Sequence, residues 1–202
     1  MITQQDLYPP FALRMRCAGL ELNVINDDDL LEIAAISAAE IFVDPTCSWV
    51  FDWATVPAPQ RYRSTAAFHW SMRASHTPEK WTLPFVVRRG AEIVGKIDLR
   101  KTGPTTGDTG SFVLAQHQGK GYATLMRHAV VTLAFTELTM TTATTDWHPD
   151  NLASARVSEK LGYKDRSLLI DDYLASPRPD VEISGISPLL LNFLGVEGLG
   201  AT

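Results

Sequence analysis

The residues in this sequence best suited to chemistry lie in one short run, Gln116-His117-Gln118-Gly119-Lys120-Gly121-Tyr122-Ala123, between a stretch that reads as a strand and one that reads as a helix. Its glycines let the backbone approach a ligand closely and turn where other residues resist. The first-turn amides of the helix that follows have no internal partner, and the macrodipole adds about half a positive charge at that end. Such a turn binds an anion, and a diphosphate is its natural occupant. The plain alternative is a tight strand-to-helix connection in which Gly119 and Gly121 serve only the chain path. The third glycine and downstream acid of a dinucleotide fingerprint are missing. Lys120 stands between the glycines, not after them followed by Ser or Thr as in a P-loop. Gln116, Gln118, Gly119, Lys120, Gly121, Tyr122 and Ala123 are the candidate anion-binding residues.

A second block opens at Asn151-x-x-Ser154 and closes at Glu159-Lys160-Leu161-Gly162-Tyr163. Asn and Ser at a helix start have a structural use as caps for first-turn amides. Among titratable groups, Asp98 at the end of a predicted hairpin is the candidate general base, working through a water. A solvated strand-end carboxylate is the plain alternative for Asp98, and Asp146 and His148 are its rivals. Of Trp49, Trp53, Trp70 and Trp81, Trp53 is assigned to a substrate pocket, although large aromatics usually serve the core.

These residues need elements to hold them. Leu20, Leu22 and Val24 alternate with polar residues and predict a strand over 20–25, and Asn26 with Asp27 to Asp29 predicts a helix start before Leu31, Ala34, Ala35 and Ala38. Residues 44–59 read as an ordered loop and 60–74 as a helix. Residues 83–88 and 93–99 form a hairpin, 102–109 a Gly/Thr-rich connection, and 110–115 a strand. Met126, Ala129, Val130, Leu133 and Ala134 repeat at helical spacing and give the best-supported helix. A strand over 139–145 follows, then a helix over 152–161 ended by Gly162.

With these elements in order, the chain resembles the GNAT superfamily of N-acyltransferases, in its RimJ/RimL-like branch. Gln116-x-x-Gly119-x-Gly121 is similar to that superfamily's acyl-CoA pyrophosphate signature. The block from Asn151 to Tyr163 resembles the branch's Asn-x-x-Ser … Glu-Lys-x-Gly-Phe/Tyr helix. Closest in look are actinobacterial-type members with a Ser-Trp-Leu strand before His-Gln-Gly, one of them described as a succinyl-CoA transferase; here the strand reads Ser111-Phe112-Val113-Leu114. The resemblance implies one α/β (α+β) domain over residues 1–202, clearest over 20–163, with C-terminal strands and a tail in 164–202. Its central sheet is mixed, mostly antiparallel, of about six to seven strands flanked by helices. It splays between its fourth and fifth strands, 110–115 and 139–145.

The resemblance also implies roles. Backbone amides near Val113 and Leu114 hold the pantetheine arm and polarise the thioester carbonyl, and Asn151 contacts coenzyme A. Donors fixed on a developing oxyanion are worth about 2.7 to 4 kcal/mol each. Many members place a Tyr seven residues after the Asn to protonate the departing thiolate; that position is Ser158 here, and the branch's alternative is Ser154. A thiol pKa near 8.5 makes the thiolate a tolerable leaving group, so a hydroxyl hydrogen bond suffices. The implied donor is acetyl-CoA, with succinyl-CoA or another acyl-CoA as alternatives, and Trp53 faces the acceptor, a small-molecule amine or a protein N-terminus. The alternative functions are a non-catalytic acyl-CoA sensor or interaction module and a binder of another phosphate ligand.

Composition sets outer bounds. A chain of 202 residues and 22.3 kDa with 45% hydrophobic and 20% charged residues is globular, which excludes disordered, collagen-like and coiled-coil classes. A net charge of -5 argues against a nucleic-acid partner. No apolar run is long enough for a membrane span and no secretory leader is evident, so a cytoplasmic location is expected. Cys17 and Cys47 lack paired zinc-site spacing, and no metal is expected. The apolar stretch 187–199 reads as a homodimer contact or a docked tail.

Overall fold

The helical stripe Met126, Ala129, Val130, Leu133 and Ala134 is fully buried, and the core is organised around it in the computed structural model, which describes residues 1–44 and 46–196. Fully burying a Met, Val or Leu side chain contributes roughly 1.5–3 kcal/mol, so this stripe anchors its helix firmly. In chain order, α1 (Gln4–Leu7) and a 3-10 turn (Pro9–Ala12) lead into β1 (Arg14–Cys17) and β2 (Leu20–Val24). Then come α2 (Asp27–Ile33), α3 (Ala38–Ile41), α4 (Asp52–Thr55), α5 (Gln60–Ala74), β3 (Thr82–Arg89), β4 (Glu92–Lys101) and β5 (Thr106–Val113). The second half holds α6 (Tyr122–Thr136), β6 (Thr142–Thr145), α7 (Leu152–Leu161), β7 (Ser167–Leu169), α8 (Ile170–Ala175), β8 (Glu182–Ser184) and α9 (Pro188–Phe193).

Among the described residues the strands form one eight-stranded sheet in the order β7-β6-β5-β4-β3-β2-β1-β8. Every pairing is antiparallel except β5 with β6. A large cluster containing the α6 stripe, Leu22, Phe85, Ile97 and Leu190 packs one face, and a smaller one of Ile25, Ile33, Ile41, Val86 and Phe112 packs the other. The parallel pair joins only Thr106–Thr109 to Thr142–Thr145, after which β6 ends and β5 runs on to Val113. The sheet is therefore splayed at that point, as expected.

Several boundaries differ from the sequence reading. The sheet has eight strands, not six or seven; β1 went unread because Arg14-Met15-Arg16-Cys17 offers just two buried positions before a turn. Strand β5 begins at Thr106 inside the expected connection and stops at Val113, short of Ala115. Gly107 belongs inside it because a Cβ there would stand 2.6 Å from the Met140 sulfur. Strand β6 starts at Thr142, since Thr139 turns with φ 54°. In α2 the buried residues are Leu30 and Ile33, while Leu31 is exposed. The 44–59 loop contains the short α4. Trp81 is a core residue whose indole N–H donates to the Leu194 carbonyl at 3.0 Å, and with Leu190 and Leu191 buried, α9 is a docked segment. The last residues of the apolar stretch 187–199 lie outside the described residues.

Candidate active site

At the entrance to α6 the backbone itself is the reactive surface. Gly119 and Gly121 adopt φ of 75° and 81°, and a Cβ on either would meet nothing within 4 Å. They are needed for conformation, not room, because other residues lose about 1–2 kcal/mol in the left-handed region. Gly121 caps α6 without a side-chain hydrogen bond, and its carbonyl accepts from the amides of Thr124 and Leu125. The N–H groups of Gly119, Lys120, Gly121, Tyr122 and Ala123 find no acceptor among the described residues. Gly119, Lys120 and Gly121 are exposed, and the Lys120 ammonium makes no ion pair among the described residues. This is an open nest of donors at the positive end of a fifteen-residue helix, suited to a diphosphate.

Two flanking glutamines differ in role. The Gln118 side-chain amide donates to the Ile41 carbonyl at 2.8 Å and the Val113 carbonyl at 3.0 Å, so both its N–H groups brace the turn against α3 and β5. Gln116 is exposed, 3.3 Å from the His117 ring nitrogen.

The edge of β5 supplies the next donors. The Leu114 amide is spent on the Val94 carbonyl at 2.9 Å, so Leu114 does not offer the free donor expected of it. Antiparallel alternation explains this: when Leu114 bonds to β4, Val113 and then Ser111 turn their backbone groups the other way, toward the splay. The Val113 carbonyl accepts from Gln118, and its N–H turns away from β4.

Across the splay, Asn151 caps α7, its Oδ1 accepting from the Ser154 amide at 3.1 Å. The capping use is thus realised, while the Asn151 side-chain N–H groups and the Ser154 hydroxyl make no hydrogen bond among the described residues. Ser158 is fully buried; its hydroxyl donates to the Ser154 carbonyl at 3.2 Å and accepts from Arg127 Nη1 at 2.8 Å. Arg127 is itself buried, its Nε has no partner among the described residues, and desolvation pulls its pKa below the usual guanidinium range.

On the opposite face, α5, the 51–53 segment, β4 and β5 line a partly open cavity of about 330 Å³ whose lining includes Trp53, His69, Lys96, Asp98, Arg100 and Phe112. Trp53 stacks on Phe51 with centroids 6.2 Å apart and lies 6.0 Å from Phe112. Asp98 Oδ1 accepts from Lys96 Nζ at 2.6 Å, both side chains being largely buried. Arg100 is bound to Asp108, which also accepts from Thr144. The rivals of Asp98 do not line this cavity: Asp146 pairs with Arg166, and His148 faces Asp150 at 3.5 Å. A hollow of about 390 Å³ beside the β1–β2 turn, lined by Arg16, Glu21, Asp180 and Glu182, shares no residue with the cavity and holds none of the motif residues.

His69 went unread in the sequence. It is 2% exposed, and burial first, then the Lys96 and Arg73 cations, lower its pKa to about 3. The available signal was Thr65 and His69 at i and i+4, polar residues on the inward face of α5.

Comparison with known proteins agrees with this fold. The family described as Acetyltransferase (GNAT) domain matches residues 20–164. Mycobacterium smegmatis RimJ in complex with CoA-disulfide is 19% identical, TM-score 0.56, over 75% of this chain and 74% of that one. A structure described as a ribosomal-protein-serine acetyltransferase from Vibrio cholerae is 15% identical, TM-score 0.54, over 74% and 82%. Spermidine N-acetyltransferase from Vibrio cholerae, in complex with CoA and spermine, is 16% identical, TM-score 0.56, over 78% and 99%. The chain belongs to the GNAT acetyltransferase family and is an acyl-CoA-dependent N-acyltransferase.

Proposed function

We propose that this GNAT-family chain is a cytoplasmic, single-domain enzyme that moves an acetyl group from acetyl-CoA to a primary amine by direct attack. The observation that carries this is the cluster of unpartnered amides from Gly119 to Ala123, continuous through Gln118 and Val113 with the open edge of β5. The coenzyme supplies a thioester; the amine nitrogen bonds to its carbonyl carbon, the C–S bond breaks with its electron pair on sulfur, and the amine loses a proton. The turn binds the diphosphate. The Val113 N–H polarises the carbonyl, and fixed donors of this kind contribute about 2.7–4 kcal/mol each. The Asn151 side-chain amide holds the pantetheine arm, and the Ser154 hydroxyl hydrogen-bonds the departing sulfur. Asp98, with Oδ2 unused, takes the amine proton through water.

The neighbours named as a RimJ and as spermidine and ribosomal-protein acetyltransferases lend support for an amine acceptor and for the RimJ/RimL-like branch. The test is release of free thiol from acetyl-CoA and succinyl-CoA over a panel of amines, alongside thermal shift with CoA and with ATP. Release with an amine, together with a CoA-specific shift, is expected. A CoA shift with no thiol release from any amine of the panel would contradict this reading.

A further inference from the structure

The acceptor cavity is chemically biased. Lys96 and Arg100 line it against the single carboxylate of Asp98, and Asp108 lies behind Arg100. Lys96 Nζ makes one hydrogen bond to the protein, and Arg100 uses Nε and Nη2 on Asp108, leaving Nη1 without a partner among the described residues. His69 adds a third donor. Its Nδ1 is sealed with no partner, and because an orphaned N–H is rarer than an orphaned acceptor, the proton belongs on Nε2. That nitrogen is the one the ring can offer to the cavity it lines.

These groups favour an acceptor that brings an anionic oxygen. A polyamine would set further cations beside Lys96 and Arg100, a like-charge contact. A protein N-terminus would offer these donors a neutral amide where a free amino acid offers a carboxylate, and about 330 Å³ is near the lower end of the range for one small ligand, roughly 300–1,000 Å³. Phe51, Trp53 and Phe112 give the wall an apolar, aromatic character. We infer that the acceptor is a free amino acid with an apolar or aromatic side chain, its amine at Asp98, its carboxylate on Lys96, Arg100 and His69, and its side chain against Trp53. This rests on the acyl-transfer reading above.

The experiment compares phenylalanine, phenylalaninamide, phenethylamine, an N-terminal peptide and spermidine, with acetyl-CoA and the full chain. Thiol release is read with turnover, and melting temperature with free CoA plus each amine. Phenylalanine should exceed its amide and phenethylamine by about tenfold or more in kcat/KM, the value of a charge-assisted hydrogen bond. Phenylalanine alone should add to the CoA shift. Lys96→Met should bring the three within about threefold of one another while keeping the CoA shift. His69→Phe should weaken the preference, and His69→Gln, which keeps a donor near Nε2, should restore it. Equal or better turnover of spermidine, peptide or phenethylamine, with the CoA shift intact, overturns this inference and leaves acyl transfer standing. Absence of any CoA shift overturns both.

Discussion

Around Gly119 and Gly121 the groups that face a ligand are main-chain amides from one continuous stretch, whereas around Trp53, His69 and Lys96 they are side chains from separate segments. The first region is held by backbone conformation and a helix end, and the second by packing between α5, the 51–53 segment and the sheet. A backbone site leaves a mark in sequence, because left-handed φ demands glycine at fixed spacing. A side-chain cavity leaves little, because its members are brought together only by the fold. Donor binding and acceptor selection should therefore be separable by mutation.

The largest separation should come from Gly121→Val. A branched residue at φ 81° distorts the nest, and with several charge-assisted contacts of about 1.5–3 kcal/mol each at stake, CoA affinity should fall about a hundredfold or more by calorimetry. The melting temperature should drop by a few degrees only, since no atom lies within 4 Å of the new Cβ. Loss of the fold in place of loss of binding would break the comparison. Next in size, Ser154→Ala should lower kcat about ten- to a hundredfold with both KM values nearly unchanged, because the thiolate leaves tolerably without a full proton donor. An unchanged kcat would remove Ser154 from the leaving-group step.

Trp53→Ala should act on the other side alone. Loss of the stack on Phe51 and of the tilted contact with Phe112 should raise acceptor KM about tenfold while CoA affinity stays as in the unaltered protein. Movement of both constants together would mean that the two regions are not independent.

The same division governs what could be read from the sequence. The α6 stripe, the hairpin, α7 with Gly162 in its left-handed cap, and the glycine turn all follow from local periodicity or φ requirements. What escaped depends on partners distant in sequence. Leu114 was an apt oxyanion donor by position, but which amide faces the splay depends on register with Val94. Gln118 resembled a ligand contact, yet its amide is consumed by Ile41 and Val113 carbonyls. Asp98 and Trp53 are candidates on separate grounds and fall in one cavity; Lys96 and Arg100 carry no local signal for it, and His69 carries only its i, i+4 spacing with Thr65 on α5.

The smallest effect concerns stability. His69 stays neutral in the fold down to about pH 3, whereas in the unfolded chain it takes a proton near its ordinary 6.5. Between those values the unfolded state binds more protons, so stability declines as pH falls through that window. His128 and His76, also lowered by burial, act in the same direction. The melting temperature of His69→Gln should therefore fall less between pH 7 and pH 5 than that of the unaltered protein, while retaining part of the slope. An identical slope would remove His69 from the buried set.

The most direct test of the donor side is an amide nitrogen–proton NMR titration of the ¹⁵N-labelled protein with CoA. The resonances of Gly119, Lys120, Gly121, Tyr122, Ala123 and Val113 should move together and saturate with one dissociation constant, while that of Leu114, already bonded to Val94, moves less. Saturable binding of CoA with those signals unmoved, or with shifts centred on the hollow beside Arg16 and Glu182, would contradict the account.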